Sequence, residues 1–242
     1  MVTNKNNVMR LLLISNSTNA GEAYLDYPKH NIDKFLGKVR KVMFVPYAVV
    51  TFGFDDYQAK VAAVLGPLGI EVDSVHRYAD HAAAIRSAEA VMVGGGNTFR
   101  LVKMMHDNGL MAAIRDKVAE GAPYIGWSAG SNVTCPTLCT TNDMPIVEPI
   151  SFKTLGLIPF QINPHYIDTH PEGHAGETRQ QRILEYLAAN RGMCVAGLRE
   201  GCMLSVEDGK ISLIGNRPLT LFRYGVPDKD YTSADDLSFL LG

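Results

Sequence analysis

Long apolar runs are missing from this chain of 242 residues, the longest early one being Leu11-Leu12-Leu13-Ile14. A signal-peptide core needs about 7–15 such residues and a membrane span about 20. Neither a leader nor a membrane anchor is expected, and the expected location is the cytoplasm. An excess of one charge is missing too: 23 Lys plus Arg stand against 25 Asp plus Glu, a formal net charge of −2. Proteins that grip nucleic acid neutralise phosphates with clustered cations. This chain has no Lys/Arg run, so nucleic acid is not an expected partner. Cysteine is scarce. Cys135-Pro-Thr-Leu-Cys139 has no second pair at zinc-like spacing, and Cys194 and Cys202 lie in apolar runs. Buried reduced thiols are expected, with no metal and no cofactor. Pro/Gly/Ser linkers and internal repeats are also absent. With 46% hydrophobic and 20% charged residues, the composition excludes collagen-like and disordered chains. One α/β domain over 1–242 is expected, ordered over about 8–226 and ending in a loose polar tail.

What is present is alternation. Short runs at 11–14, 42–45, 72–75, 91–93 and 124–126 are apolar on both faces, as in strands of a buried parallel sheet. Between them, 55–65, 81–88, 98–106 and 108–120 carry apolar residues at helical spacing. Such alternation predicts β-α-β units and one mainly parallel sheet with helices on both sides, a three-layer α/β/α arrangement. Further on, 157–163 and 193–198 read as strands and 176–190 as a helix. The stretches 202–206 and 211–214 flank Asp208-Gly209, a strong hairpin signal. The stretch 219–223 is expected to pair beside that antiparallel hairpin.

The sharpest chemical feature is Gly126-Trp127-Ser128-Ala129-Gly130, a G-x-S-x-G pattern between a predicted strand and a helix start. A serine at such a turn sits in strained backbone with its hydroxyl exposed, and the Ala129 amide is placed to meet an oxyanion. A second feature, Gly94-Gly95-Gly96-Asn97-Thr98, follows the strand at 91–93. It lacks the P-loop lysine and completes no G-x-G-x-x-G. Amides of Gly95 or Gly96, on a strand next to that of Ser128, suit the other half of an oxyanion hole.

A serine nucleophile needs a base, and the base an orienting acid. His30, His76, His81 and His106 fall in turns or helices of the first half, as surface histidines do. His165 ends a predicted strand in Gln161-Ile162-Asn163-Pro164-His165, and His170 and His174 follow in a polar loop. Candidate acids are Glu200, Asp143, Asp168 and Glu148. Residue chemistry leaves Glu200, after the strand at 193–198, and Asp143, in a polar loop, on an equal footing.

The ordered segments VGGGNTFRL, PYIGWSAGSNV, TTNDMPI, INPHY, GETRQQRI and LREG resemble the peptidase E family of α-aspartyl dipeptidases, over roughly residues 10 to 224. The resemblance implies a fold akin to class I glutamine amidotransferases with serine at the nucleophile elbow. It implies a triad of Ser128, His165 and Glu200, in an order unlike that of α/β-hydrolases. Asp143 then becomes a substrate-binding or loop-positioning residue. Arg179 becomes the guanidinium that grips an aspartate carboxylate, with Asn97 and Thr98 adding hydrogen bonds. The expected partners are small Asp-X dipeptides, and a homodimer is compatible with this reading. The alternatives are a cyanophycinase-like serine hydrolase and, from a different class, a noncatalytic nucleotide-binding domain built on the glycine loop.

Overall fold

The computed structural model describes residues 9–168 and 176–242. Its centre is a seven-stranded sheet in the order β3-β2-β4-β5-β1-β8-β9. The strands are β1 (Leu11–Ile14), β2 (Lys41–Val45), β3 (Glu71–Ser74), β4 (Val91–Val93), β5 (Tyr124–Trp127), β8 (Met203–Glu207) and β9 (Lys210–Ile214). The first five pair in parallel, and β8 and β9 run antiparallel at one edge.

Alternating residues of a strand point to opposite faces, and β1 divides accordingly. Leu11 and Leu13 pack into one apolar cluster with Leu101 and Val102 of α4 (Thr98–Asp107) and Ile114 and Val118 of α5 (Leu110–Ala119). Leu12 and Ile14 pack into another with Ile32 and Phe35 of α1 (Lys29–Leu36) and Val61 and Leu65 of α2 (Phe54–Leu65). The short α3 (His81–Ser87) adds Ala84 and Ile85 to the first cluster. The three α/β/α layers follow from runs that are apolar on both faces. Strand β9 alternates exposed and buried residues, as suits an edge. The β8–β9 turn has Asp208 at φ 53° and Gly209 at φ 71°, the left-handed pair that a two-residue hairpin requires.

Several expectations need correction. The sheet is not the only one. Four strands form a second sheet in the order β11-β10-β7-β6: β6 (Gln161–Tyr166), β7 (Cys194–Arg199), β10 (Leu219–Arg223) and β11 (Val226–Tyr231). The stretch 219–223 therefore pairs with β7 and β11 rather than with the 202–214 hairpin. Ile162, Leu198 and Leu221 of this sheet share the apolar cluster of Leu11 and Leu13, so the two sheets pack against one core. Nor is the tail loose. Strand β11 pairs with β10, and Leu237 and Leu240 are buried. The helix α1, marked by Ile32, Phe35 and Leu36 at helical spacing, was not anticipated. The helix expected at 176–190 is α7 (Arg179–Ala189), because Thr178 and Gln181 form a reciprocal capping box that fixes its start. All four cysteines are free, but only Cys135 and Cys202 are buried. Cys139 is exposed and Cys194 is half-buried. Among the described residues, no helix is long and apolar enough to cross a membrane.

Candidate active site

Strand β5 ends at Trp127, and the chain turns at Ser128 into a single helical turn, α6 (Ala129–Asn132). Ser128 has φ 53°, a left-handed value that costs a non-glycine residue energy. The turn is locked from several sides. Ser128 N donates to Ile14 O at 3.0 Å, Ser131 Oγ donates to Ile14 O at 2.7 Å and to Gly126 O at 2.8 Å, and Tyr124 Oη donates to Gly130 O at 2.6 Å. A Cβ on Gly126 would lie 2.3 Å from Gly130 O, and one on Gly130 would lie 2.1 Å from Val93 O. Both glycines are therefore demanded by backbone-on-backbone approach.

The Gly94–Gly96 loop follows β4, beside β5. It is pinned by Gly94 N to Val45 O at 3.1 Å, Asn97 N to Ala48 O at 2.8 Å, and Tyr57 Oη to Gly95 O at 2.8 Å. A Cβ on Gly95 would come within 3.0 Å of the Ser128 Cβ, so this loop lies directly against the serine. The amides of Gly95, Gly96 and Ala129 have no hydrogen-bond partner among the described residues.

His165 lies inside β6, not at its end, because the strand starts later and runs on through Pro164. Proline cannot donate to the ladder. The β6–β7 register shifts between Pro164 and Tyr166, and His165 takes φ 53°. This bulge turns the imidazole toward the serine. Nε2 stands 3.0 Å from Ser128 Oγ, and Nδ1 stands 2.7 Å from Glu200 Oε1, on the turn after β7. A hydrogen-bonded chain Ser128–His165–Glu200 can deprotonate the hydroxyl and stabilise the resulting imidazolium.

Of the two acids that residue chemistry left equal, Glu200 is the one on His165. Asp143 serves the glycine-loop helix. Its Oδ2 accepts from Thr98 N at 2.7 Å, Thr98 Oγ1 at 2.6 Å and Thr141 Oγ1 at 3.0 Å. A carboxylate on a helix N-terminus is electrostatically favourable. Asp168 pairs with Arg199, at 2.8 Å and 2.5 Å, and Glu148 is exposed. Asn97 has a structural role beside the expected binding one. It is the N-cap of α4, where Oδ1 accepts from Arg100 N at 3.0 Å, and Nδ2 donates to Met144 O at 2.9 Å. Its amide thus caps α4 at one end and ties it to the 140–146 loop at the other.

A cavity of about 430 Å³ opens over the serine, with Thr98, Asp143, His165, Arg179 and Glu200 in its wall. That volume suits a small ligand. A recess of about 130 Å³ adjoins it, sharing Asp143 and Arg179 and adding Arg182. Burial, then the charge of Arg182, pulls the Arg179 pKa below its usual value, while Asp143 opposes the shift. Cations in the first turn of a helix run against its dipole. Arg179 and Arg182 outnumber Asp143 in the recess, and Arg179 is the one cation in the wall of the cavity over the serine among the described residues. Of the other histidines, His76 bonds Asp55, His81 bonds Tyr47, His106 bonds Lys153 O, and His30 is exposed on α1. His170 and His174 lie outside the described residues. Among the described residues, no group of three or more His, Cys, Asp or Glu is arranged to hold a metal ion.

The sequence pattern of peptidase family S51 matches residues 11–214. The chain belongs to this family. It is 52% identical to a peptidase E from Nostoc sp. over 96% of both chains, and 50% identical to a peptidase E from Escherichia coli over 90% of this chain and 95% of that one. In fold it is similar to a crystal structure of a peptidase from an acI-B1 Actinobacterium, with TM-score 0.72, 15% identity and coverage of 97% and 98%. A putative peptidase E from Listeria monocytogenes superposes with TM-score 0.57, 21% identity and coverage of 90% and 99%. The S51 chain is thus a peptidase, a hydrolase of peptide bonds, with serine at the elbow.

Residues that motif reading of this S51 peptidase missed are those that hold the reacting groups. Tyr57 on the glycine loop is one, with Trp127 Nε1 donating to its hydroxyl at 3.2 Å. Ser15 and Asn16, after β1, are others. They read in sequence as an ordinary polar turn.

Proposed function

We propose that this chain is a cytoplasmic serine dipeptidase that hydrolyses dipeptides with N-terminal aspartate through an acyl-enzyme on Ser128. One observation carries the reading: the Ser128 Oγ–His165 Nε2–Glu200 chain, at 3.0 Å and 2.7 Å, in the wall of a cavity that also holds Arg179. The kinship with chains called peptidase E supports it.

In this reading His165 takes the Ser128 proton as Oγ attacks the carbonyl of the N-terminal aspartate. The amides of Ala129 and of Gly95 or Gly96 receive the oxyanion, each donor being worth about 2.7–4 kcal/mol of transition-state stabilisation by analogy with serine proteases. His165 then protonates the leaving amine, and a water it activates releases aspartate. Glu200 holds the imidazole tautomer and balances its charge. Arg179 grips the side-chain carboxylate through two hydrogen bonds. Asp143 keeps the α4 end in place and offers a counter-charge to the free amine. Thr98 contributes its hydroxyl to the same wall.

The test is a panel of Asp-Leu, Glu-Leu, Ala-Leu and a β-aspartyl dipeptide. Cleavage of Asp-Leu alone is expected, and Arg179→Ala should erase the preference over Ala-Leu. Equal wild-type rates for Asp-Leu and Ala-Leu would contradict the role of Arg179, and preference for the β-aspartyl bond would favour a cyanophycinase-like activity. A second comparison separates the carboxylates. Glu200→Gln should lower kcat by about 10²–10⁴-fold with little change in KM, because it acts on the base in the transition state. Asp143→Asn should chiefly raise KM. Steady-state kinetics at matched protein stability reads both, and the reverse pattern would exchange their roles.

A further inference from the structure

Ser15 follows β1 directly and is fully buried. Its Oγ donates to Leu198 O at 2.7 Å and accepts from His165 N at 2.9 Å. Its neighbours complete a pattern. Ile14 O accepts from Ser128 N at 3.0 Å, and Asn16 Oδ1 accepts from Gly201 N at 2.9 Å. Asn16 is itself fixed, because its Oδ1 also accepts from Tyr27 Oη at 2.7 Å and its Nδ2 donates to Asn19 Oδ1 at 2.9 Å. Three consecutive residues thus grip the nucleophile, the base, and the chain on either side of Glu200.

The grip crosses a structural division. Ser128 rides on the large sheet, whereas His165 and Glu200 ride on the second. Apolar packing between the sheets is not directional and leaves room for sliding by fractions of an ångström. The bond from Asn132 Nδ2 to Ile162 O at 3.0 Å ties β6 to α6 three residues before His165, not at His165 itself. Directional hydrogen bonds set the register. His165 also holds a left-handed φ of 53°, and such a conformation persists only where its surroundings over-determine it. The hydroxyl of Ser15 is the one side-chain group bonded to its backbone amide among the described residues.

We propose that Ser15 is a positioning residue for peptide hydrolysis: its hydroxyl sets the His165–Glu200 pair of one sheet in register with Ser128 of the other. The inference rests on reading Ser128 as nucleophile and His165 as its base. Without the hydroxyl, the His165 amide and the Leu198 carbonyl lose a shared partner, the bulge relaxes, and Nε2 leaves the line to Oγ. Misplacement by about 1 Å costs on the order of 10²-fold in chemistry. Binding of ligand in the cavity, whose wall Ser15 does not join, is left intact.

The test is labelling by an alkyl fluorophosphonate, which needs no peptide specificity. Ser128 Oγ attacks phosphorus, the P–F bond breaks, fluoride leaves, and the Ser128 proton passes to His165. In Ser15→Ala the labelling rate at saturating probe should fall about 10–100-fold, at a temperature well below the variant's unfolding midpoint. The half-saturating probe concentration should stay near wild type. A merely structural serine would lower the midpoint and leave the saturating rate unchanged, and that result overturns the proposal. So does a loss confined to half-saturation. If Ser15→Ala is too unstable to label, Ser15→Cys, which keeps a weak donor, replaces it. A rate between background and wild type supports the proposal, and an unchanged rate overturns it. Wild type that does not label overturns this inference and the serine mechanism together. Wild type that labels but spares Asp-Leu overturns only the substrate reading, and the Ser15 comparison then decides on labelling alone.

Discussion

Ser128→Ala is expected to lower kcat for Asp-Leu by on the order of 10⁶-fold, the size of loss seen when a serine protease loses its nucleophile. The protein should remain folded. Ser128 Oγ makes no hydrogen bond but the one to His165 Nε2 at 3.0 Å among the described residues. The locking bonds of the turn run through the Ser128 backbone, through Ser131 and through Tyr124. Alanine at φ 53° meets the same backbone strain as serine, so the unfolding midpoint should move little. KM, or the dissociation constant of Asp-Leu for the variant, should also stay near the wild-type KM, because Arg179 and Asp143 are untouched. Kinetics paired with a thermal melt checks all three expectations. Retained turnover would mean that water is activated directly and no acyl-enzyme forms.

Gly126→Ala is expected to remove activity by a different route, through the fold. Its Cβ would stand 2.3 Å from Gly130 O, 2.5 Å from Gly130 C and 2.9 Å from Ser131 N. Every one of these is backbone, so no flexible side chain can swing aside. Relief requires α6 to lift from β5, which stretches the Ser131 bonds to Ile14 O and Gly126 O and carries Ser128 with it. Overpacking of this kind costs about 3 kcal/mol or more, and each kcal/mol lowers the midpoint by roughly 2–4 °C at this chain length. A midpoint about 6–12 °C lower is expected, with kcat down by on the order of 10²-fold or more. Differential scanning calorimetry and kinetics read the two effects. A variant with wild-type melting and kcat would mean that the elbow is looser than its contacts imply.

The half of the fold that positions the nucleophile was written in local pattern. Strands such as β1, β4 and β5 are apolar on both faces, and the G-x-S-x-G glycines mark close backbone approach. The half that positions the base was not. Nothing in the alternation of 219–223 says whether it pairs with β8–β9 or with β7, because pairing choice is a property of the assembled sheets. The later start of β6 places His165 in a bulge, and bulges are set by pairing register rather than by residue type. Glu200 and Asp143 could not be separated by residue chemistry, since either is a carboxylate in a polar loop. They separate in space, one on His165 Nδ1 and the other on the Thr98 amide. The capping role of Asn97 was not legible because an N-cap asparagine and a binding asparagine occupy the same kind of turn. Ser15 and Asn16 carry no motif at all, and their value comes only from the partners that a second sheet brings to them.

The most direct measurement is mass spectrometry of the enzyme quenched in acid during turnover of an α-aspartyl p-nitrophenyl ester. This substrate acylates quickly and leaves deacylation to limit the rate, so the intermediate accumulates. The account predicts one aspartyl group, in ester linkage, on the peptide that contains Ser128, and none on Ser128→Ala. Steady turnover of the ester without any adduct, or an adduct on a residue other than Ser128, would contradict it.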